Sequence, residues 1–235
     1  MNRKKGLLRR AWRKLLHWRF HRLRLAEERG ERTPLLTEVL GRPLVVLPSV
    51  FNPKLLRTGA FFAESLNAVL IPPNARVLDL GTGTGVAALV AAEWAGSIVA
   101  TDINPEAVRA ARINALLNRL HARIEVRPGD LFAPVAKERF DVVLFNPPYY
   151  RGAPRDLRDA AWRSPDLDER FARELGDHLE PEGHALVCLS TDGDVPFVDA
   201  LGEAGFDVEL ASERDLVNEV LRLYRVSKAS LASSR

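Results

Sequence analysis

Cysteine is nearly missing from this 235-residue chain. The single Cys188 excludes an internal disulfide framework and any zinc site built from several cysteines. Long apolar runs are missing as well. The longest candidate, Val86–Ala95, falls short of the roughly 18 residues that read as a membrane span, and it contains Glu93. The N-terminus is basic, but no apolar segment with a small-residue cleavage site follows, so no secretory signal is expected. Apolar residues make up 46% of the chain and charged residues 28%, which excludes global disorder. At roughly 150 residues per domain, the length suggests one domain with an appendage, or two small ones. The expectation is a cytoplasmic enzyme or binding protein without a transmembrane segment.

What is present is unevenly placed. The net charge of +3 divides into +9 over residues 1–30 and −6 over the remainder. In the basic arm, Leu8, Trp12, Leu16, Phe20 and Leu23 recur at spacings of four and three, one face of a helix. Arginines and lysines fill most of the other faces. Such a helix suits RNA, an anionic membrane or an acidic partner. It equally suits an arm that packs its stripe on its own domain.

Gly30 and Pro34 end the arm. Pro43–Val50 reads as a short extended segment, and Leu55–Leu70 as a helix entered through Asn52-Pro53. From residue 76 the pattern is regular. Strands are expected at Arg76–Leu80, Ile98–Asp102, Arg123–Val126, Phe140–Phe145, His184–Leu189, Phe206–Ala211 and Val220–Val226. Helices are expected at Val86–Ala95, Pro105–Leu117 with Asn104 as N-cap, Leu167–Leu179 and Val195–Ala204. This alternation predicts an α/β, Rossmann-like fold: a seven-stranded, mostly parallel sheet with helices on both faces. The last two strands lack a helix between them and should pair antiparallel at an edge. The expected division is an arm and extended segment over 1–50, a catalytic domain over 51–226 and a tail over 227–235.

Three loops carry the chemistry. Asp79-Leu80-Gly81-Thr82-Gly83-Thr84-Gly85 follows the first regular strand and opens a helix. Its glycines allow close backbone approach to a ligand, and a helix N-terminus favours a negative group. Asp102 ends the next strand, where a carboxylate can accept both hydroxyls of a ribose. Together these signal a nucleoside-containing cofactor without saying which, since Gly83 to Ala88 also fits the dinucleotide fingerprint G-x-G-x-x-A. Gly129-Asp130-Leu131-Phe132 and Asn146-Pro147-Pro148-Tyr149 follow the next two strands, at carboxyl ends, where open α/β sheets bind ligands.

With these motifs in order, the chain resembles the class I S-adenosylmethionine-dependent methyltransferases, in the branch carrying Asn-Pro-Pro-Tyr. That branch methylates planar nitrogens: exocyclic amines of adenine or cytosine, or the side-chain amide of glutamine. Such a nitrogen is a poor nucleophile because its lone pair is delocalised. The resemblance implies that the Asn146 side-chain oxygen and the Pro147 carbonyl accept hydrogen bonds from the target N–H groups, while Pro148 stiffens the loop and Tyr149 stacks on the target. Orientation then supplies most of the catalysis, with acceptors placed where positive charge develops. It further implies that Asp79, Gly81, Thr82, Gly83 and Gly85 surround the methionine end of the cofactor. Asp102 holds the ribose, Ile103 flanks the adenine, Asp130 accepts its amine, and Leu131 or Phe132 packs on its ring. A dehydrogenase has no use for Asp130 or for the Asn146 motif.

Within that branch the chain looks most like the HemK group, which methylates the glutamine of peptide-chain release factors. The run from Asp102 to Asn114, Phe145–Tyr149, Ala161-Trp162 and Leu179-Glu-Pro-Glu-Gly183 carry this likeness. Thr58 and Phe61 are expected to line the pocket entrance. Two departures bear on substrate recognition: the N-terminal region is shorter and more basic than in that group, and Tyr150-Arg151-Gly152 follows the motif. The substrate alternatives are thus a protein, such as a release factor, or an adenine amine in RNA or DNA, where a basic arm would neutralise phosphates and a flipped base would stack on Tyr149. The arm would meet RNA or an acidic surface in either case. His17 and His21 stand one helical turn apart, a possible metal pair, but no third ligand lies nearby; His121, His178 and His184 show no ligand spacing, and no metal is expected. Cys188, in an apolar strand, is expected to be a buried core thiol.

Overall fold

The computed structural model of the chain describes residues 33–54, 57–147, 166–190, 194–216 and 219–229. A hairpin comes first, β1 (Leu35–Val39) and β2 (Arg42–Val46), followed by helix α1 (Thr58–Ser65). Then come β3 (Arg76–Leu80), α2 (Val86–Ala91), β4 (Ser97–Asp102), α3 (Pro105–Leu117), β5 (Ile124–Pro128) and β6 (Phe140–Phe145). The chain continues through α4 (Leu167–His178), β7 (Leu179–Ser190), α5 (Asp194–Glu203), β8 (Phe206–Leu216) and β9 (Glu219–Lys228). Seven strands form one sheet in the order β5-β4-β3-β6-β7-β9-β8. β3 to β7 run parallel, and β9 runs antiparallel to both β7 and β8. The expected mostly parallel sheet is therefore present, with its last two strands antiparallel at one edge.

Period-two alternation along the strands splits the core in two. Val77, Val142, Leu144, Leu186 and Cys188 face α1, α2 and α3. Leu78, Leu80, Val143, Phe145 and Val187 face α4 and α5. Cys188 is fully buried, and burial pushes its thiol pKa up, as an inert core residue requires. α4 shows how pattern becomes packing. Phe171, Leu175 and His178 recur at spacings of four and three, and all are buried. α3 begins as expected: the Asn104 side chain accepts from the Glu106 N–H, and Pro105 occupies the first turn.

Several boundaries differ for local physical reasons. The helix expected to reach Leu70 stops at Ser65, because the Asn67 side-chain oxygen takes the N–H groups of Val69 and Leu70 in a local turn. The helix expected to reach Ala95 tightens after Ala91, where Glu93 and Trp94 bond three residues back instead of four. The strand expected at His184 begins at Leu179, because Leu179 already pairs with Phe140. Ser227 and Lys228, expected in the tail, are paired strand residues, and Lys228 Nζ donates to the Leu179 carbonyl at 3.1 Å.

Residues 35–50 form a hairpin and a following turn that pack on α3. β1 and β2 join through Leu40-Gly41, both at positive φ. Leu44 is fully buried, and Val46, Leu47 and Val50 share a small core with Ala107 and Ala110 of α3. The outer backbone edge of β2 is closed by side chains. Asn114 Oδ1 accepts from the Val45 N–H at 2.7 Å, Asn114 Nδ2 donates to the Val45 carbonyl, and Asn118 Nδ2 donates to the Pro43 carbonyl. The basic arm of residues 1–30 lies outside the described residues.

Candidate active site

Strand register brings the motif loops to one edge. Leu80 pairs with Thr101 and with Phe145, and Asp102 pairs with Pro128. The residues that follow these strands, Gly81–Gly85, Ile103, Gly129–Phe132 and Asn146-Pro147, therefore line the carboxyl edge. From β3 the chain runs outward through β4 and β5, then returns to β6 on the other side of β3. The strand order thus reverses between β3 and β6, the position where open α/β sheets hold ligands.

Asp79 and Asp102 anchor this edge and are nearly closed to solvent. Asp79 Oδ2 accepts from Thr82 Oγ1 at 2.6 Å and from the Ala88 N–H at 3.2 Å. Asp102 Oδ2 accepts from the Gly83 N–H at 2.9 Å, and its Oδ1 from the Asn104 N–H at 2.8 Å. The two carboxylates thus pin the glycine loop from below. Burial raises both pKa values. That of Asp79 is pushed up to about 7, against the pull of Thr82 and Ala88 and with a smaller push from Asp102.

The loop is shaped for a ligand. Gly83 has φ +57°, and a side chain there would meet nothing within 4 Å, so the outer side of the loop is open. Gly85 has φ +82°, and its missing Cβ lets α2 approach Ala111 of α3, where an added carbon would stand 3.3 Å away. Thr82 N–H donates to the Thr101 carbonyl at 2.9 Å, tying the loop to β4. Buried carboxylates beside an open glycine loop form an acceptor set suited to a ligand with hydroxyls and positive charge. S-adenosylmethionine has a ribose and two cationic centres, and it fits that set.

Of the other expected residues, Ile103 is half-buried beside Asp102, and Leu131 is buried with φ +43°. Of the two residues expected to pack on the adenine, Phe132 is the more enclosed. It is 1% exposed, with its ring stacked on His178 at 4.5 Å and on Phe171 at 5.7 Å, so it has almost no free surface for an adenine. Asn146 is half-buried and Pro147 buried at the end of β6. Pro148, Tyr149 and Trp162 lie outside the described residues. Thr58 and Phe61, expected at the entrance, are buried residues of α1, and the Arg214 guanidinium lies 5.1 Å from the Phe61 ring centroid.

Two residues here escaped the motif reading. Arg170, on the first turns of α4, forms an ion pair with Asp130. Asn114 is fully buried, and its Nδ2 donates to the Thr84 carbonyl at 2.9 Å as well as to β2. It closes the Asp102–Asn114 run that carries the family likeness, but the likeness assigns it no role there; its other signal is an asparagine inside a helix, a place that residue type disfavours.

The model of the methyltransferase small domain family matches residues 42–204. A protein of Methanocaldococcus jannaschii, provisionally named a protein N5-glutamine methyltransferase, is 31% identical over 188 residues, covering 76% of this chain and 91% of that one. The release factor glutamine methyltransferase of Koribacter versatilis is 34% identical, covering 67% of this chain and 62% of that one. Among solved structures, the T. thermophilus 16S rRNA N2 G1207 methyltransferase, in complex with AdoMet and guanosine, superposes with a TM-score of 0.63. It is 20% identical and covers 84% of this chain and 50% of that one. That likeness is one of fold.

Proposed function

The chain belongs to the methyltransferase small domain family, and on that premise we propose that it methylates the side-chain amide nitrogen of a glutamine in a protein substrate. The methyl donor is S-adenosylmethionine, which supplies an electrophilic methyl group on a positive sulfonium. The observation that carries this reading is the alignment of the glycine loop, Asp102, the Asp130 loop and Asn146-Pro147 along one carboxyl edge.

In this reading Asp79 and the loop Gly81, Thr82, Gly83 and Gly85 seat the methionine end. Asp102 accepts the ribose hydroxyls, with Ile103 and Leu131 against the adenine and Asp130 accepting its amine. Asn146 offers its side-chain oxygen and Pro147 its carbonyl to the two N–H groups of the target amide, with Pro148 and Tyr149 completing the loop. Those acceptors orient the nitrogen and stabilise the positive charge that develops on it. The chemistry needs no proton removed before transfer. Residues 51–226 carry it, and the basic arm serves substrate recognition, in the cytoplasm where translation components are found.

The relatives named for glutamine methylation support the amide over a base amine. A release factor is the substrate we favour. The +9 charge of residues 1–30 favours a second reading, methylation of an exocyclic adenine amine in RNA or DNA. One experiment separates them: transfer of radiolabelled methyl groups into a cell extract, followed by nuclease or protease digestion. Label that survives nuclease and is lost with protease supports the glutamine reading. Label lost with nuclease overturns it.

A further inference from the structure

The Arg170–Asp130 pair has no assigned purpose. Both side chains are partly solvent-exposed, so as a stabilising contact the pair is worth at most about 1 kcal/mol. Its position is more informative than its strength. Arg170 lies on α4, and the next residue, Phe171, is fully buried with its ring 5.7 Å from Phe132 and 4.6 Å from Phe145. Phe132 closes the Asp130 loop, and Phe145 immediately precedes Asn146. One helical turn therefore braces both the loop assigned to the adenine and the strand that delivers the acceptor.

We propose that Arg170 is a positioning residue for cofactor recognition. It pins Oδ2 of Asp130 and leaves Oδ1 as a fixed acceptor for the exocyclic amine of the adenine, so that the site takes a 6-amino purine and rejects a 6-oxo one. The inference rests on the role given to Asp130 above. A half-exposed aspartate on a loop otherwise turns freely about its side-chain bonds. A guanidinium held by a packed helix restricts that freedom, because its charge-assisted bond holds Oδ2 in one place. Asp166, just before α4, and Glu174, one turn further along it, are the other acids whose field Arg170 feels, and Asp130 is the one its side chain bonds. An ionised carboxylate only accepts hydrogen bonds. A 6-amino group donates to it, whereas a 6-oxo group sets two acceptors against each other. Sites built on such a bond reject the mismatched analogue strongly.

The test is calorimetric binding of S-adenosylhomocysteine and its 6-oxo counterpart, S-inosylhomocysteine, to the full chain. The wild type should prefer the adenine compound by roughly tenfold or more, the worth of one hydrogen bond to a charged group. Arg170→Met should lose most of that preference through weaker binding of the adenine compound alone, and Arg170→Lys should recover part of it. Asp130→Asn should bring the two compounds near parity, since an amide N–H can face a 6-oxo group. Wild-type preference in Arg170→Met, with the preference gone in Asp130→Asn, overturns the role of Arg170 and leaves that of Asp130. Equal weakening of both compounds in Arg170→Met overturns it too, as the mark of a merely structural residue. Unchanged preference in both variants, or a wild type that binds neither compound, overturns the cofactor assignment and the inference with it.

Discussion

Two groups of acids in this chain live under opposite electrostatic conditions. Glu125 and Glu138 belong to a chain of charges in which Arg127 bonds both of them and Arg76 bonds Glu138. The Arg127 hydrogen bonds hold both glutamates below the ordinary carboxylate range. Asp79 and Asp102, at the carboxyl edge, are buried and form no ion pair among the described residues. Backbone N–H groups and the Thr82 hydroxyl are their donors, and burial raises both pKa values. Glu125 and Glu138 have both carboxylate oxygens bonded by guanidinium groups, so they stabilise the protein and have little left to offer a ligand. Acids kept dry and short of positive charge are costly to keep, and they are understandable where a ligand brings cations or hydroxyls.

If that contrast marks function, the largest effect of mutation should fall at the carboxyl edge and should divide by residue. Asn146→Ala removes an acceptor for the target N–H groups and leaves the two aspartates in place. Methyl transfer should fall at least ~100-fold, the scale on which lost orientation acts. Calorimetry should find S-adenosylhomocysteine bound about as tightly as before. Full activity in this variant would remove Asn146 from the mechanism. Asp102→Ala should do the reverse and weaken cofactor binding by roughly 10–100-fold, as expected for hydrogen bonds to a charged group. Unchanged affinity would mean that the ribose lies elsewhere.

The contrast itself was only half legible in the sequence. Strand alternation and the short βα connections made the sheet and its edge readable, because each rests on local pattern. Asp79, Asp102 and Asn146 were readable because they stand at fixed offsets from strand ends. What escaped depends on contacts between distant segments. Arg170 is 40 residues from Asp130, and Asn114 is 69 from Val45; neither pairing leaves a trace in local spacing. The choice between Leu131 and Phe132 was not legible for the same kind of reason. The place of Phe132 in the motif says that it is near the site, but the packing of Phe171 and His178 decides which way its ring faces. Pro43–Val50 reads as an extended segment without its partner β1, and the closing of its outer edge depends on Asn114 and Asn118 of a later helix.

A smaller effect should appear in stability against pH. Asp79 ionises near 3.8 when unfolded and near 7 when folded. Between those values the folded state binds more protons, so stability falls as pH rises from about 4 to about 7, and the loss is complete above that. Asp79→Asn keeps an acceptor for Thr82 and Ala88 and has no charge to bury. Its Tm relative to wild type should therefore climb between pH 5 and pH 8, reaching several degrees at a few degrees per kcal/mol. Cofactor affinity should drop in the same variant. Parallel Tm profiles for the two proteins would show that Asp79 is not short of positive charge.

The smallest effect belongs to the paired group, and its pH dependence has the opposite sign. The Glu138 pKa is depressed by Arg127 first and Arg76 second, so its contribution is present above the unfolded value of about 4.5 and is lost as pH falls through the folded one. Glu138→Gln takes the charge from both arginines but keeps the backbone carbonyl that bonds His178 Nδ1 at 2.9 Å. These side chains are partly exposed, so the loss should be about 1 kcal/mol or less at pH 7. It should shrink as pH falls below about 4.5 and vanish once the pH lies below the depressed folded value, where the wild-type glutamate is itself protonated. Affinity for S-adenosylhomocysteine and the rate of methyl transfer should not move. A cofactor effect as large as that of Asp102→Ala would erase the distinction between the two groups of acids, because a carboxylate already held by two guanidinium groups would then be serving the ligand as well.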